Sequence, residues 1–375
     1  MHCCRENSVA ETSAAQGAGP PAPQEGDFAG RILAWFDQHG RHDLPWQHPR
    51  SAYRVWLAEI MLQQTQVQTV IPYYQRFLAR FPTLADLAAG ELDDVLALWS
   101  GLGYYSRARN LHRTAQICMT RHAGELPGEF EAISALPGIG RSTAGAILAQ
   151  AHGARWPILD GNVRRVLSRY RAIGGDPAST AVQQELWALA AAVLPETRLA
   201  DYTQALMDLG ATLCTRRRPA CTRCPLSPDC DAWVQRRVDE FPQARRKRER
   251  PLRRSTQLWV YDDQQRLLLR RRPPVGIWAG LWSLVDGDSS EQALAVLRQL
   301  GVGIAEPQPM ATLRHEFTHF SLDIDVRSAR ALGLGIADGE SRWCSIEDAL
   351  QLGLPQPLRR LLETQSATIA AINPN

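Results

Sequence analysis

Residues 214–230 of the 375-residue chain read CTRRRPACTRCPLSPDC and contain half of its eight cysteines. Cys214, Cys221, Cys224 and Cys230 are separated by six, two and five residues. Four thiolates in one short loop suit a soft metal centre, either zinc or an iron–sulfur cluster. Zinc sites more often arrange cysteines as two short pairs with a longer loop between them. The single run therefore favours an iron–sulfur cluster.

The residues before this loop carry the pattern of amphipathic helices. Apolar side chains recur at i, i+3, i+4 and i+7 from Tyr53 to Ile60, and helix breakers interrupt similar stretches as far as Phe241. We therefore predict an all-helical domain at 28–242. Residues 1–27 contain almost no large apolar side chains, which predicts a disordered tail.

The pattern changes beyond a basic segment at 243–255, which predicts a linker. We expect a smaller mixed α/β domain at 256–360 and a tail at 361–375. Its predicted elements are strands at 258–261 and 267–269 around a turn at 262–265, a helix at 291–300 and a strand at 317–326.

Composition and charge exclude some classes of protein. No apolar run approaches the roughly 18 residues that span a bilayer, and the N-terminus lacks the basic and then apolar pattern of a secretory signal. We therefore expect a cytoplasmic, nucleoid-associated protein that binds no membrane. We also expect it to be a monomer. The net charge is only +3, but arginines cluster at 216–218 and 245–254. Such clusters suit a phosphate backbone, and an ordinary solvated surface explains either cluster equally well.

A glycine-rich turn joins two predicted helices within residues 133–153. The turn reads LPGIG at 136–140. Gly138 and Gly140 would let the backbone approach a ligand closely, and the helix that follows would offer free amides to a phosphate. Taken alone, such a turn is more often ordinary helix packing.

Two carboxylates stand in positions that suit acid–base chemistry. Asp160 lies just before an apolar-periodic helix, where position alone favours a helix cap. Glu59 lies on a predicted helix with Val55 and Leu62 above and below it, and burial there would let it hold a proton near neutrality. The alternative for Glu59 is an ordinary exposed glutamate.

Taken together, these motifs resemble the endonuclease III superfamily of DNA glycosylases. The cysteine spacing is similar to that superfamily's 4Fe-4S loop, and LPGIG followed by ILDGNV at 158–163 is similar to its helix–hairpin–helix and catalytic aspartate. EIMLQQTQV at 59–67 resembles the adenine-specific branch, the A/G-specific adenine DNA glycosylase or MutY family. The resemblance implies a multi-domain protein: an all-α helix–hairpin–helix domain with a cluster loop, and a C-terminal α+β Nudix-like domain.

The resemblance also implies a reaction and the residues that perform it. The substrate would be adenine mispaired with 8-oxoguanine or guanine in double-stranded DNA, and the four cysteines would hold one 4Fe-4S cluster. Glu59 would protonate the adenine. Asp160 would stabilise the sugar cation, either electrostatically or through a transient covalent bond, with help from Asn162 and Ser142. The adenine pocket and the DNA contacts would come from Leu44, Trp46, Leu62, Gln64, Tyr104, Gly138, Gly140 and Gln204.

The C-terminal domain would recognise 8-oxoguanine opposite the adenine. Phe317, Thr318 and His319 align with the family's Phe-Ser-His loop, with threonine in place of serine. His319 alone is as consistent with ordinary packing. Because residues 292–300 lack the glutamates of an active Nudix helix, we expect neither a metal nor pyrophosphatase activity there.

Ser142 separates the two main enzyme hypotheses. Endonuclease III-like glycosylase/AP lyases, which act on oxidised pyrimidines, carry a lysine at this position for Schiff-base chemistry. A hydroxyl cannot form that base, and Lys247 is the only lysine in the chain. Base excision alone is therefore favoured. A third hypothesis is a non-catalytic iron–sulfur DNA-binding sensor. Glu59 and Asp160 argue against it, because a sensor would not need both carboxylates.

Overall fold

The computed structural model describes residues 25–243, 250–333, 335 and 339–372. They form a helical domain followed by a mixed α/β domain, in the predicted order. Across these described residues, no helix combines the length and apolar character needed to span a membrane.

Two hydrophobic cores organise the helical domain. The helices are α1 (Glu25–His39), α2 (Ala52–Leu62), α3 (Val67–Arg80), α4 (Leu84–Ala89), α5 (Leu92–Trp99), α6 (Ser106–Arg121), α7 (Phe130–Ser134), α8 (Arg141–His152), α9 (Gly161–Tyr170), α10 (Thr180–Ala192), α11 (Leu199–Thr212) and α12 (Asp231–Val234). The larger core lies among α2 to α8, and the smaller core among α1, α9, α10 and α11.

Helix α8 lies between the two cores. Its Ala144, Ile147 and Leu148 belong to the larger core and its Ala146 to the smaller one. Small side chains allow this close packing, since a Cβ on Gly145 would lie 2.5 Å from the carbonyl oxygen of Pro157. The helix therefore brings α2 of one core close to the segment that leads into α9 of the other.

The C-terminal domain is built on one mixed sheet. The strands are β1 (Leu252–Tyr261), β2 (Leu267–Arg271), β3 (Trp282–Ser283), β4 (Val285–Gly287), β5 (Gln308–Glu316), β6 (Ser321–Arg330) and β7 (Ser341–Cys344). They follow the order β3-β2-β1-β6-β5, and in addition β4 pairs with β1 and β7 pairs with β2. Strands β1 and β6 run parallel, and the other pairs are antiparallel. The helices are α13 (Ser290–Gln299), α14 (Ile346–Leu350) and α15 (Gln356–Ile372).

The two faces of the sheet pack against different partners. Side chains alternate along a strand, so Leu258 and Val260 of β1 pack with α13 while Trp259 joins the larger core of the helical domain. Trp282 is fully buried in that same core. One continuous hydrophobic cluster therefore includes parts of both domains.

Polar contacts reinforce the joint between the domains. Asp93 at the start of α5 accepts hydrogen bonds from Arg271 and from Trp282 Nε1, the latter at 3.3 Å. The hydroxyls of Ser100 and Tyr105 donate to the carbonyl oxygen of Leu354 at 3.2 and 2.9 Å. The segment 100–105 is thereby held against the C-terminal domain.

The structure corrects the predicted ends of the first domain. Helix α1 begins at Glu25, inside the predicted tail 1–27, whose first 24 residues lie outside the described part. The predicted linker 243–255 is wrong at its C-terminal end, because β1 begins at Leu252, which pairs with Ser321. Residues 244–249 of that linker are not among the described residues.

Two predictions for the C-terminal domain are also wrong in detail. The predicted tail 361–375 is helical as far as Ile372, because Leu358, Leu361 and Leu362 form a buried apolar stripe on α15. The predicted strand 317–326 begins only at Ser321, since the preceding residues form the tip of the β5–β6 hairpin.

Candidate active site

Asp160 caps helix α9, as its position predicts. Its backbone is extended, and its Oδ1 accepts a hydrogen bond from the Val163 amide at 2.7 Å. Asn162 donates from Nδ2 to the other carboxylate oxygen at 3.5 Å, and its own Oδ1 accepts from Arg165 at 2.8 Å. The cap therefore fixes the direction of this carboxylate at the positive end of a helix.

Glu59 lies on α2 among apolar side chains. Val55, one turn earlier, is fully buried, and Leu62, near the end of the helix, is half-buried. Glu59 itself keeps a small accessible surface, and its Oε1 accepts a hydrogen bond from Gln150 Nε2 of α8 at 3.1 Å. The pKa of Glu59 is raised to about 7: burial is the largest cause, the negative charge of Asp160 adds to it, and the hydrogen bond from Gln150 opposes both.

The two carboxyl groups interact but differ in environment. Burial also raises the pKa of Asp160, but the amides of Val163 and Asn162 and the charges of Arg165 and Arg164 oppose this. The donors around Asp160 favour its ionised form, whereas the apolar surroundings of Glu59 favour the acid. The pair can therefore hold its proton on Glu59 and a negative charge on Asp160, an arrangement that gives a site one acid and one carboxylate.

The turn before α8 and the first residues of that helix hold the segment that leads to Asp160. Gly138 has a φ of +80°, a left-handed conformation that glycine adopts without strain. Gly140 is the N-cap of α8, provides no side-chain cap and has open space where a Cβ would lie. Ser142 Oγ accepts from the amide of Leu159 at 3.0 Å, and so holds the residue directly before Asp160.

Gln204 presents a buried acceptor from α11. Its Nε2 donates to Asp208 at 2.7 Å, while its Oε1 has no hydrogen-bond partner among the described residues. Asp208 is itself fixed by the guanidinium and backbone amide of Arg41. Leu44 and Trp46 lie in the larger core, where Trp46 packs edge-on against an aromatic ring of α3.

Two loops beside the site hold residues in left-handed conformations. Gln64 after α2 has a φ of 60°, and Tyr104 before α6 has a φ of 49°. Both side chains are exposed. Such backbone strain costs about 1–3 kcal/mol per residue and persists only where the surroundings impose it.

Arg107 imposes both loop conformations. This buried guanidinium donates to the carbonyls of Ile60, Met61 and Gln63 at 2.8 Å and to that of Gly103 at 3.1 Å. Burial lowers its pKa to about 10, so it keeps its charge at neutral pH. The loop after α2 and the loop before α6 are therefore bound to one side chain.

The four cysteines of the 214–230 loop line one cavity. Val166, Tyr170 and Leu226 are among the other residues that line it, and the four thiols are half-buried. Nowhere in the described ranges do three His, Cys, Asp or Glu side chains converge as closely as one metal ion requires. Four thiols around one cavity are a donor set that suits a soft metal centre.

The tip of the β5–β6 hairpin faces the helical domain. Phe317 anchors it, with ring contacts at 4.5 Å to His315 and Phe320. Thr318 and His319 are exposed, and Thr318 Oγ1 lies 3.1 Å from the hydroxyl of Tyr104. The structure thus brings a residue of each domain together at one cleft, which also contains Trp278 and Arg109.

Known proteins match both domains. The family described as "HhH-GPD superfamily base excision DNA repair protein" matches residues 57–192, and the NUDIX domain family matches residues 256–364. An adenine DNA glycosylase of Buchnera aphidicola (subsp. Acyrthosiphon pisum, strain APS) is 36% identical over 339 residues, which cover 90% of this chain and 97% of the relative. The chain belongs to the adenine DNA glycosylase family.

Two further comparisons agree with this assignment. The human adenine DNA glycosylase is 39% identical over 363 residues, covering 80% of this chain and 66% of that protein. A solved structure of a thermostable thymine-DNA glycosylase superposes with a TM-score of 0.52 and 28% identity over 56% of this chain and 97% of that one. The predicted family, fold class and DNA glycosylase activity are confirmed.

Sequence reasoning missed two residues of this DNA glycosylase. Arg107 lies one turn before Leu111 and two turns before Ala115 on the buried face of α6, and a cation in such a stripe is the sign of a buried arginine. Gln150 follows a run of buried small and apolar residues on α8, where a lone amide stands out. Neither pattern predicts what Arg107 or Gln150 bonds to, because their hydrogen bonds join segments that are distant in the chain.

Proposed function

We propose that this enzyme hydrolyses the N-glycosidic bond of adenine mispaired with 8-oxoguanine or guanine in duplex DNA. The observation that carries the proposal is the pair of Glu59, whose pKa is raised to about 7 mainly by burial, and Asp160, whose carboxylate accepts hydrogen bonds at the start of α9. Cleavage of a glycosidic bond passes through an oxocarbenium-like transition state and needs both an acid and a carboxylate. The names of the relatives supply the choice of adenine.

The reaction follows from the two protonation states. Glu59 gives its proton to N7 of the adenine, and the C1′–N9 bond breaks with its electron pair leaving on the base. The Asp160 carboxylate stabilises the cation that develops on the sugar. Water then adds its oxygen to C1′, and the proton it loses returns Glu59 to the acid form.

Gln204 would recognise the adenine base through a hydrogen bond. Because Asp208 accepts from its Nε2, the amide is held with its oxygen free. A buried acceptor without a partner favours a ligand that donates, such as the exocyclic amino group of adenine. Leu44 and Trp46 would support the apolar wall of this pocket from the core behind it.

The duplex would bind across the open face of the helical domain. The free amides at the start of α8, after Gly140, suit a backbone phosphate, and Arg216, Arg217 and Arg218 are exposed beside the cysteine loop. Removing a base from the stack costs a few kcal/mol. Tyr104, with Leu62 and Gln64 opposite, would fill the gap that the base leaves.

The hairpin tip of Phe317, Thr318 and His319 would read the base opposite the adenine. Thr318 offers a hydroxyl, and Phe317 supports it from the aromatic cluster. The hydrogen bonds between the segment 100–105 and the C-terminal domain support this role, because they hold the hairpin beside Tyr104.

Cys214, Cys221, Cys224 and Cys230 would hold one 4Fe-4S cluster. Bound there, the cluster would order the loop that carries the exposed arginines. The residues fit it in number, chemistry and arrangement around a shared cavity. Base removal itself needs only Glu59, Asp160 and water.

Adenine release from four duplexes tests the proposal. Adenine is placed opposite 8-oxoguanine, guanine, cytosine or thymine, and free base is measured under single turnover. We expect release from the first two duplexes only, and none with Glu59→Gln although that variant still binds DNA. Release by Glu59→Gln at the rate of the unmodified enzyme would overturn the assignment of the acid.

Borohydride trapping tests the lyase alternative. Ser142 cannot form a Schiff base with the sugar, so we expect base release without a covalent protein–DNA adduct. A strong adduct formed in step with base release would support a lyase instead.

A further inference from the structure

Gln150 is a buried amide whose side chain reaches the catalytic acid. It lies on α8 and is 4% exposed, and its Nε2 donates to Glu59 Oε1 at 3.1 Å. The neighbouring residues Ala149 and Leu148 on the same helix are fully buried apolar side chains. A polar side chain in this position needs a partner to offset its loss of hydration. The partner it has is Glu59.

The direction of this bond distinguishes the two oxygens of Glu59. An N–H donor requires an acceptor, so the Oε1 that faces Gln150 does not carry the proton of the acid form. The proton is left to Oε2. A carboxylic acid without such a donor could place its proton on either oxygen and rotate between the two.

We infer that Gln150 is a positioning residue for base excision: its amide holds Oε1 of Glu59 as an acceptor, so that Oε2 carries the proton to the base. This inference rests on the proposed role of Glu59 as the proton donor. In this role Gln150 orients the acid, and it also sets the pH range in which Glu59 holds its proton.

The hydrogen bond from Gln150 also affects the pKa of Glu59. A donated hydrogen bond stabilises the ionised carboxylate more than the acid, and so it opposes the increase in the pKa of Glu59 that burial causes. The charged group that acts on Glu59 from its neighbours is Asp160, at the start of α9. Arg107 of α6 donates to the carbonyls of Ile60 and Met61. Tyr74 of α3 donates to the carbonyl of Arg54 on α2.

The test is the pH dependence of single-turnover adenine release by the full-length protein carrying Gln150→Met. Methionine has a similar shape and removes the donor. We expect the midpoint at which activity is lost on the alkaline side to move upward by about one pH unit. We also expect the rate at low pH to fall about tenfold, because the acid is no longer oriented. DNA affinity should not change.

Two further variants make the result decisive. Gln150→Glu keeps the shape and adds a negative charge beside Glu59, so its alkaline midpoint should move up further than that of Gln150→Met. Leu148→Met alters the packing of the same helix and should leave the midpoint unchanged. If Gln150→Met and Gln150→Glu both keep the midpoint of the unmodified enzyme, the inference is overturned. Loss of release in Glu59→Gln tests the proposed function separately, whatever the Gln150 variants do.

Discussion

The hydroxyl of Tyr104 lies 3.1 Å from Thr318 Oγ1, although 214 residues separate them in the chain. Tyr104 belongs to the loop before α6, which Arg107 holds in place, and Thr318 to the tip of the β5–β6 hairpin. Both side chains are exposed and face the cleft between the domains. The residue proposed to enter the duplex and the residue proposed to read the opposite base therefore touch each other directly.

Replacing Thr318 with valine should reduce selectivity for 8-oxoguanine. Valine keeps the shape but removes the hydroxyl, and a single hydrogen bond contributes about 0.5–1.5 kcal/mol. We expect the ratio of adenine release opposite 8-oxoguanine to release opposite guanine to fall by several-fold. The matched control is Thr312→Val, an exposed threonine of β5. If both variants keep the original ratio, Thr318 does not read the base.

Replacing Arg107 with methionine should destabilise the protein and its DNA complex. The change leaves several buried carbonyl oxygens without donors, which costs about 1–3 kcal/mol for each group that finds no water. We expect a lower midpoint of urea unfolding and weaker binding to the duplex, with Arg107→Lys intermediate. Arg113→Met removes an exposed arginine from the same helix and serves as the control. If Arg107→Met binds the duplex with the affinity of the unmodified protein, Arg107 does not hold the DNA-binding loops in place.

Replacing Glu59 with glutamine should raise stability at alkaline pH. The pKa of Glu59 rises from 4.5 to about 7 in the folded protein. The stabilising effect of the folded acid form is fully present below pH 4.5 and is lost as the pH rises through about 7. One pKa unit corresponds to about 1.4 kcal/mol, so the advantage of Glu59→Gln should grow by about 2–3 kcal/mol between pH 5 and pH 8. Chemical denaturation at both pH values measures this, and a constant difference would show that Glu59 is not desolvated.

Replacing Cys224 with serine should remove the proposed 4Fe-4S cluster. Serine is a poor ligand for iron, and the remaining three thiols would have to hold the centre alone. We expect iron and sulfide contents well below those of the unmodified protein, and weaker DNA binding. Cys344→Ser changes a buried cysteine of β7, outside the loop, and should keep the iron content. Equal iron in both variants would exclude Cys224 as a ligand.

The sequence predicted the site best where a local rule applies. Asp160 follows a capping rule that needs only its neighbours along the chain, and the apolar side chains around Glu59 follow from helical spacing. The cysteine loop is local as well. These features could be placed on helices and loops without knowledge of the fold.

What the sequence could not predict depends on long-range contacts. The partners of Arg107 are backbone carbonyls, which every residue provides, so no residue type marks them. The bond from Gln150 to Glu59 joins residues 91 apart in the chain. Helix α15 was mistaken for a tail because its apolar stripe is short, and its burial depends on the sheet and helices it packs against.

The pH dependence of single-turnover adenine release from a duplex with adenine opposite 8-oxoguanine tests the central claim most directly. If Glu59 acts as the acid, the rate is constant at mildly acidic pH and falls as the pH rises through about 7, where Glu59 loses its proton. On the acid side the rate falls when Asp160 gains a proton. A rate that stays constant through pH 7 to 9, or that increases as Glu59 ionises, would contradict the account.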